Sequence, residues 1–194
     1  LAAMGGADAW KDIQVVHNTA VNHHPQARLP YIQEYWYFTQ APKHIVKIKN
    51  HDMNRMRAYT QEGGWSYYQG QVHPFNEERL ENEIQSWHRS LYQKLHLLAK
   101  QSPRLRLKIG VENRLEFFDQ DQFIGWLIVG DDGAPARHGG TSSMDAYTDF
   151  SALAKFDNVS WPSRGQDDSG WRFEILSFQV LDHAPDISME PPIN

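Results

Sequence analysis

The sequence predicts an α+β fold: a curved antiparallel sheet covered by one long central helix, with a short helix at the N-terminus. Three observations carry this expectation. Short runs of alternating apolar and polar residues recur along most of the chain, as half-buried strands require. Between positions 76 and 100 the period changes, with Leu80, Ile84, Trp87, Leu91, Leu95 and Leu98 spaced by three or four on one helical stripe. Strand patterns flank that stretch on both sides, so its stripe is expected in the concavity of a sheet large enough to twist and curl.

Taken in order, residues 1–12 read as a short helix that bends or restarts at Gly5-Gly6, since glycine inside a helix costs about 1 kcal/mol relative to alanine. Residues 13–22, rich in Val and Thr, form a first strand, and Pro25 and Pro30 bracket a loop. The segment 31–39 is the most β-prone of the chain. Ile32, Glu34, Trp36 and Phe38 share one of its faces, and Tyr31, Gln33, Tyr35 and Tyr37 the other. Aromatics on both faces argue that neither is simply solvated. Strands follow at 45–50, 55–60 and 65–69, the first two with one apolar and one wet face.

The helix then opens at Asn76, which can cap its first turn, with Glu77 and Glu78 at the positive end of the helix dipole. Lys94, His96 and Lys100 suit the other end and Pro103 stops it. At 1.5 Å per residue it would be roughly 37 Å long. Alternation resumes at 104–109, 113–118 and 123–129. An edge strand or loop is expected at 134–141, a short strand at 146–150, a polar loop at 166–170 and a clear strand at 172–181. A proline-containing tail, 183–194, is irregular. The reading is one domain over 1–194 with about nine to eleven strands.

Composition narrows the function classes. Net charge of −5 disfavours nucleic acid as a partner, and no run of apolar residues is long enough to span a bilayer. The chain has no cysteine, which excludes disulfides, thiolate metal sites and thiol catalysis. Seven Trp, eight Tyr and nine Phe exceed what a core alone needs. The ten histidines lack zinc-ligand spacing: His23-His24 point to opposite faces of a strand, and His88 and His96 lie two turns apart. No nucleophile elbow or phosphate loop is present, so no catalytic residue, metal or cofactor is assigned. Leu1 stands where an initiator Met would, as a mature or a trimmed terminus does.

Several motifs together resemble one family. Met4-Gly5-Gly6 precedes Ala7-x-Ala9-Trp10, Gly63-Gly64-Trp65-Ser66-Tyr67-Tyr68-x-Gly70 precedes the helix, and a last strand runs through Val180-Leu181-Asp182-His183 into Ala184-Pro185. In this order the elements are similar to those of the bacterial outer-membrane lipoprotein-carrier (LolA-like) superfamily. The resemblance implies an incomplete β-barrel with helices over a hydrophobic cavity, and a periplasmic or otherwise exported protein behind a signal peptide.

The expected function is therefore binding or carriage of a hydrophobic ligand (a lipid, an acyl chain or a lipoprotein) in the cell envelope, without catalysis. The candidate ligand-binding residues are Trp36, Phe38, Trp65, Tyr67, Trp87, Leu91, Phe117 and Trp126; each serves equally as ordinary core. Two other classes compete. One is a small-molecule enzyme using Glu34, a carboxylate set among aromatics, with a nearby His or Tyr. The other is an envelope interaction module with an exposed apolar patch.

Overall fold

The computed structural model describes residues 1–157 and 159–192. Its strands are β1 (Val15–His23), β2 (Tyr31–Phe38), β3 (Lys43–Lys49), β4 (Asn54–Tyr59), β5 (Gly64–Tyr68), β6 (Gln71–Pro74), β7 (Leu105–Ile109), β8 (Leu115–Asp119), β9 (Gln122–Val129), β10 (Pro135–Gly139), β11 (Thr148–Phe150), β12 (Leu153–Phe156), β13 (Val159–Pro162), β14 (Arg164–Asp167) and β15 (Arg172–Leu181). The helices are α1 (Ala7–Lys11), α2 (Glu77–His88) and α3 (Leu91–Ala99), with 3₁₀ turns at Ala2–Met4 and Val111–Asn113.

Thirteen strands form one antiparallel sheet in the order β6-β5-β4-β3-β2-β1-β15-β14-β11-β10-β9-β8-β7, and β12 and β13 form a separate hairpin. The sheet is open, with β6 and β7 at its edges. The chain runs between those edges through α2 and α3. The sheet also bends strongly. Six strands separate β4 from β10, about 34 Å in a flat sheet. Yet Tyr59 of β4 and His138 of β10 line the same cavity of about 450 Å³.

The long central helix of the sequence reading does not exist, and the chain is mostly sheet. Residues 76–100 break at Arg89-Ser90 into two helices of 12 and 9 residues. Asn76 caps α2 as expected, its Oδ1 accepting from the Arg79 N–H at 2.9 Å. Ser90 then restarts the chain: its backbone is extended, and its Oγ accepts the Gln93 N–H at 3.1 Å. The same hydroxyl donates to the Tyr37 hydroxyl at 2.7 Å. The break re-aims the apolar stripe, so Trp87, Leu91 and Leu95 are buried whereas Leu80, Ile84 and Leu98 are only half so. Ser90-Leu91-Tyr92-Gln93 has the form of a capping box, a signal that an unbroken 3.6-residue period conceals.

Two cores lie on the two sides of the sheet. Facing the helices, Trp10, Val16, Tyr37, Trp87, Leu91, Leu95, Phe117, Trp161 and Phe178 form one cluster. Trp161 and Phe178 stack at 4.6 Å, and Trp10 packs against both. On the other face Val15, Trp36, Phe38, Ile45 and Ala58 are covered by Ile187 and Met189 of the C-terminal tail. The Trp65 indole N–H, on that same face, donates to the Met189 carbonyl at 2.8 Å. This explains the two aromatic faces of β2: one meets helices, the other a strap of chain. The last two positions of the predicted irregular tail, 193 and 194, lie outside the described residues. β6, β12, β13 and β14 were not expected, being four residues each and too short to show a period; β14 takes in the first two residues of the loop expected at 166–170.

Candidate functional site

The inner face of the sheet carries the site. Alternation along β1 points Asn18, Ala20 and Asn22 inward, and on β2 it does the same for Gln33, Tyr35 and Tyr37. On β3 and β4, His44 stands opposite Tyr59, and Arg57 opposite Val46. Helix α2 is fastened over this surface by four contacts. Tyr37 donates to the Trp87 carbonyl at 2.8 Å and Tyr59 to that of Glu83 at 3.2 Å. Arg57 pairs with the Glu83 carboxylate at 3.0 Å, and the Trp87 indole donates to the Phe38 carbonyl at 2.7 Å.

Two cavities remain beneath. The larger, about 450 Å³, is walled by Tyr35, His44, Arg57, Tyr59, Trp87 and His138 among others. The smaller, about 210 Å³, lies among Asn22, Leu91, Tyr92, Phe150, Trp161 and Ile175. Tyr35 and Thr148 border both, so the two adjoin.

Arg57, Glu83, Arg89, Asp167 and Asp168 border the larger cavity, and the buried tyrosines and histidines among them are held neutral. Burial raises the phenol pKa of Tyr35, Tyr37, Tyr59 and Tyr92, so all stay protonated. Burial, with the Arg57 charge nearby, keeps His44 well below its ordinary range. His138 is lowered in the same way by burial and by Lys94, whose own amine is lowered by burial and the Arg89 charge. Lys94 is fully buried and its amine donates to the Arg89 carbonyl at the end of α2. It therefore closes the helix break from inside.

Four buried polar atoms on these walls have no partner among the described residues: His44 Nε2, Arg57 Nε, Asn22 Oδ1 and Trp171 Nε1. Buried polar groups are almost always satisfied in folded proteins, so orphans gathered at cavities point to something that fills them. No group of three or more His, Asp or Glu among the described residues is placed to hold a metal.

In fold, the chain resembles a solved DUF1329 family protein. That protein, from Desulfovibrio piger, superposes with a TM-score of 0.50 at 10% identity, over 89% of this chain and 87% of that one. A conserved, uncharacterised protein from Thermus thermophilus aligns with a TM-score of 0.37 at 11% identity, over 92% of this chain and 91% of that. No protein-family model matches the sequence, and no curated protein does. At such identity the likeness is one of fold.

The eight residues singled out from sequence are divided by the sheet. Trp87 lines the larger cavity and Leu91 the smaller. Phe117 faces the same side but is sealed in the core. Trp36, Phe38, Trp65 and Tyr67 lie on the opposite face: the first three pack in or against the cluster beneath the tail, and Tyr67 pairs across with Met56. Trp126 also points away from the helices, across Gly139, its indole donating to the Thr141 carbonyl at 3.0 Å. Glu34 is on the outer face too, partly exposed and paired with His17 at 3.2 Å, and it borders neither of the two cavities. The residues that do form the walls, Tyr35, His44, Arg57 and Tyr59, carried one available signal. They occupy the alternate positions of β2, β3 and β4, but sequence alone does not say which face turns inward.

Proposed function

We propose that the two adjoining cavities hold an amphipathic, mainly apolar molecule, and that the protein binds or carries a lipid or acyl-bearing ligand in the bacterial envelope without altering it. The observation that carries this reading is the pair of spaces between the inner sheet face and α2–α3: aromatic rings and Leu91 wall the smaller, and aromatic rings mixed with polar and charged side chains wall the larger. A volume of about 450 Å³ falls in the range of ligand sites. Each CH₂ removed from water there contributes about 0.8 kcal/mol, so an acyl chain binds without many polar contacts. The fold likeness is compatible with this, and no helix among the described residues is long and apolar enough to cross a membrane.

The test is native mass spectrometry of the protein purified from its host, followed by fatty-acid titration monitored by tryptophan fluorescence. Co-purified lipid and saturable binding support the reading. Their joint absence, in protein whose thermal transition is cooperative, rules it out. Fractionation of host cells tests the envelope location.

A further inference from the structure

We infer that the molecule in these cavities is polar at two places: it offers an oxygen acceptor to Arg57 and His44, and a hydroxyl or amide N–H to Asn22. This rests on the ligand-binding reading above and adds the chemistry of the ligand's two ends.

The argument starts from what each bare atom can accept or give. Arginine has N–H donors and no acceptor, so whatever completes Arg57 Nε must accept. Its Nη1 is already engaged by Glu83 at 3.0 Å, which fixes the guanidinium and leaves Nε as the buried edge without a partner. His44 stands opposite Tyr59, and Arg57 is two residues along the same strand, so the two are diagonal neighbours on one face, about 7–8 Å apart. The His44 ring is held edge-on to Tyr35 at 4.1 Å and to Tyr59 at 5.4 Å, so it cannot swing out to find water. A neutral imidazole can present Nε2 as a donor. A carboxylate, ester or amide carbonyl between them meets both. The cavity is of mixed charge: Glu83 is paired with Arg57, and Arg89, Asp167 and the exposed Asp168 line the remaining wall.

At the other end the smaller cavity carries one bare atom of each kind: Trp171 Nε1 needs an acceptor and Asn22 Oδ1 a donor, and one hydroxyl can be both. Asn22 is 1% exposed, and its Nδ2 donates to the Ala20 carbonyl at 3.3 Å. That bond orients the amide, so the bare atom is the acceptor Oδ1. Only a donor completes it. Around it stand Leu91, Phe150, Trp161 and Ile175, apolar side chains that suit the methylene part of the same molecule. A single ligand threading past Tyr35 and Thr148 would satisfy all four atoms. A hydroxylated acyl acid has this layout.

The experiment compares three probes of equal chain length by calorimetric titration of the intact protein: dodecanoic acid, ω-hydroxydodecanoic acid and dodecylamine. A charge-assisted hydrogen bond is worth about tenfold in affinity or more. The expected order is hydroxy acid tightest, acid about tenfold weaker, and amine about tenfold weaker again. Arg57→Lys and His44→Phe should narrow the gap between acid and amine, and Asn22→Leu should erase the preference for the hydroxyl, each checked for an unchanged thermal melt. If all three probes bind alike, the orphan atoms are served by water; this inference then falls while ligand binding stands. If none binds, the ligand reading falls as well.

Discussion

The amine of Lys94 lies 3.1 Å from Nε2 of His138, although in water lysine is charged at neutral pH and histidine becomes so just below it. Neither can hold its proton comfortably here: burial lowers both, and each charge would oppose the other. His44, also buried, is lowered for the same first reason. The consequence is a pH dependence with a definite sign. In the unfolded chain these histidines take up a proton near pH 6.5, whereas in the folded protein they do so only at lower pH. Across that window the unfolded state binds more protons, so stability rises with pH and falls on acidification.

The melting temperature should therefore drop as pH is lowered from about 7 to about 5, as stability falls by on the order of 1 kcal/mol per pH unit for each histidine. His138→Gln should flatten the slope. A melting temperature independent of pH in this interval contradicts the buried placement of both rings.

Gly125 is forced by the same neighbourhood. Its φ is +123°, and a Cβ there would come within 2.3 Å of the Gly139 carbonyl oxygen and 2.8 Å of the Lys94 amine. Gly125→Ala should cost about 3 kcal/mol or more, since it combines backbone strain with a clash against main chain. Urea denaturation measures it, and a loss below about 1 kcal/mol would place β9 differently.

Ser90 holds the joint between α2 and α3. Ser90→Ala removes the cap on Gln93 and the hydrogen bond to Tyr37, and should destabilise by about 1–2 kcal/mol. Ser90→Gly separates the two: glycine is tolerated at the N-cap, so any loss beyond a few tenths of a kcal/mol reports the Tyr37 contact.

The tail should behave as a cover. Deleting the chain from Ile187 onward uncovers Trp36, Phe38 and Trp65, so tryptophan emission should shift to the red and an apolar dye should bind. Unchanged emission would mean that the strap does not shield that face in solution.

The two sides of β2 make opposite predictions for ligand binding. Tyr35→Ala should weaken acyl binding by about tenfold, because it removes a wall common to both cavities. Trp36→Phe, one residue away on the outer face, should leave the affinity unchanged. Fluorescence titration of both variants decides, and an effect at Trp36 without one at Tyr35 would reverse the assignment of faces.

Much of the strand framework was legible locally. The segments at 31–39, 123–129 and 172–181 announce themselves by β-branched and aromatic residues, and the start of α2 by Asn76 and two glutamates. The candidate site was legible only in part. Aromatic excess pointed to β2, β5 and α2, but Trp87 and Leu91 are the only two of the eight chosen residues that reach a cavity. His44 and Arg57 were passed over, as one histidine among ten and part of a wet strand face.

By itself, then, the sequence determined where strands run, where helix replaces strand and which residues share a face, because alternation and capping are properties of neighbouring residues. Only the tertiary structure decided which face of β2 looks inward, that the helix breaks at Ser90, and that β4 and β10 border one space. Those outcomes depend on contacts between residues far apart in the chain. Tyr37 meets Ser90, Lys94 meets His138, and Trp65 meets Met189 across a turned sheet. A period along one strand is the same whichever side the rest of the molecule comes to cover.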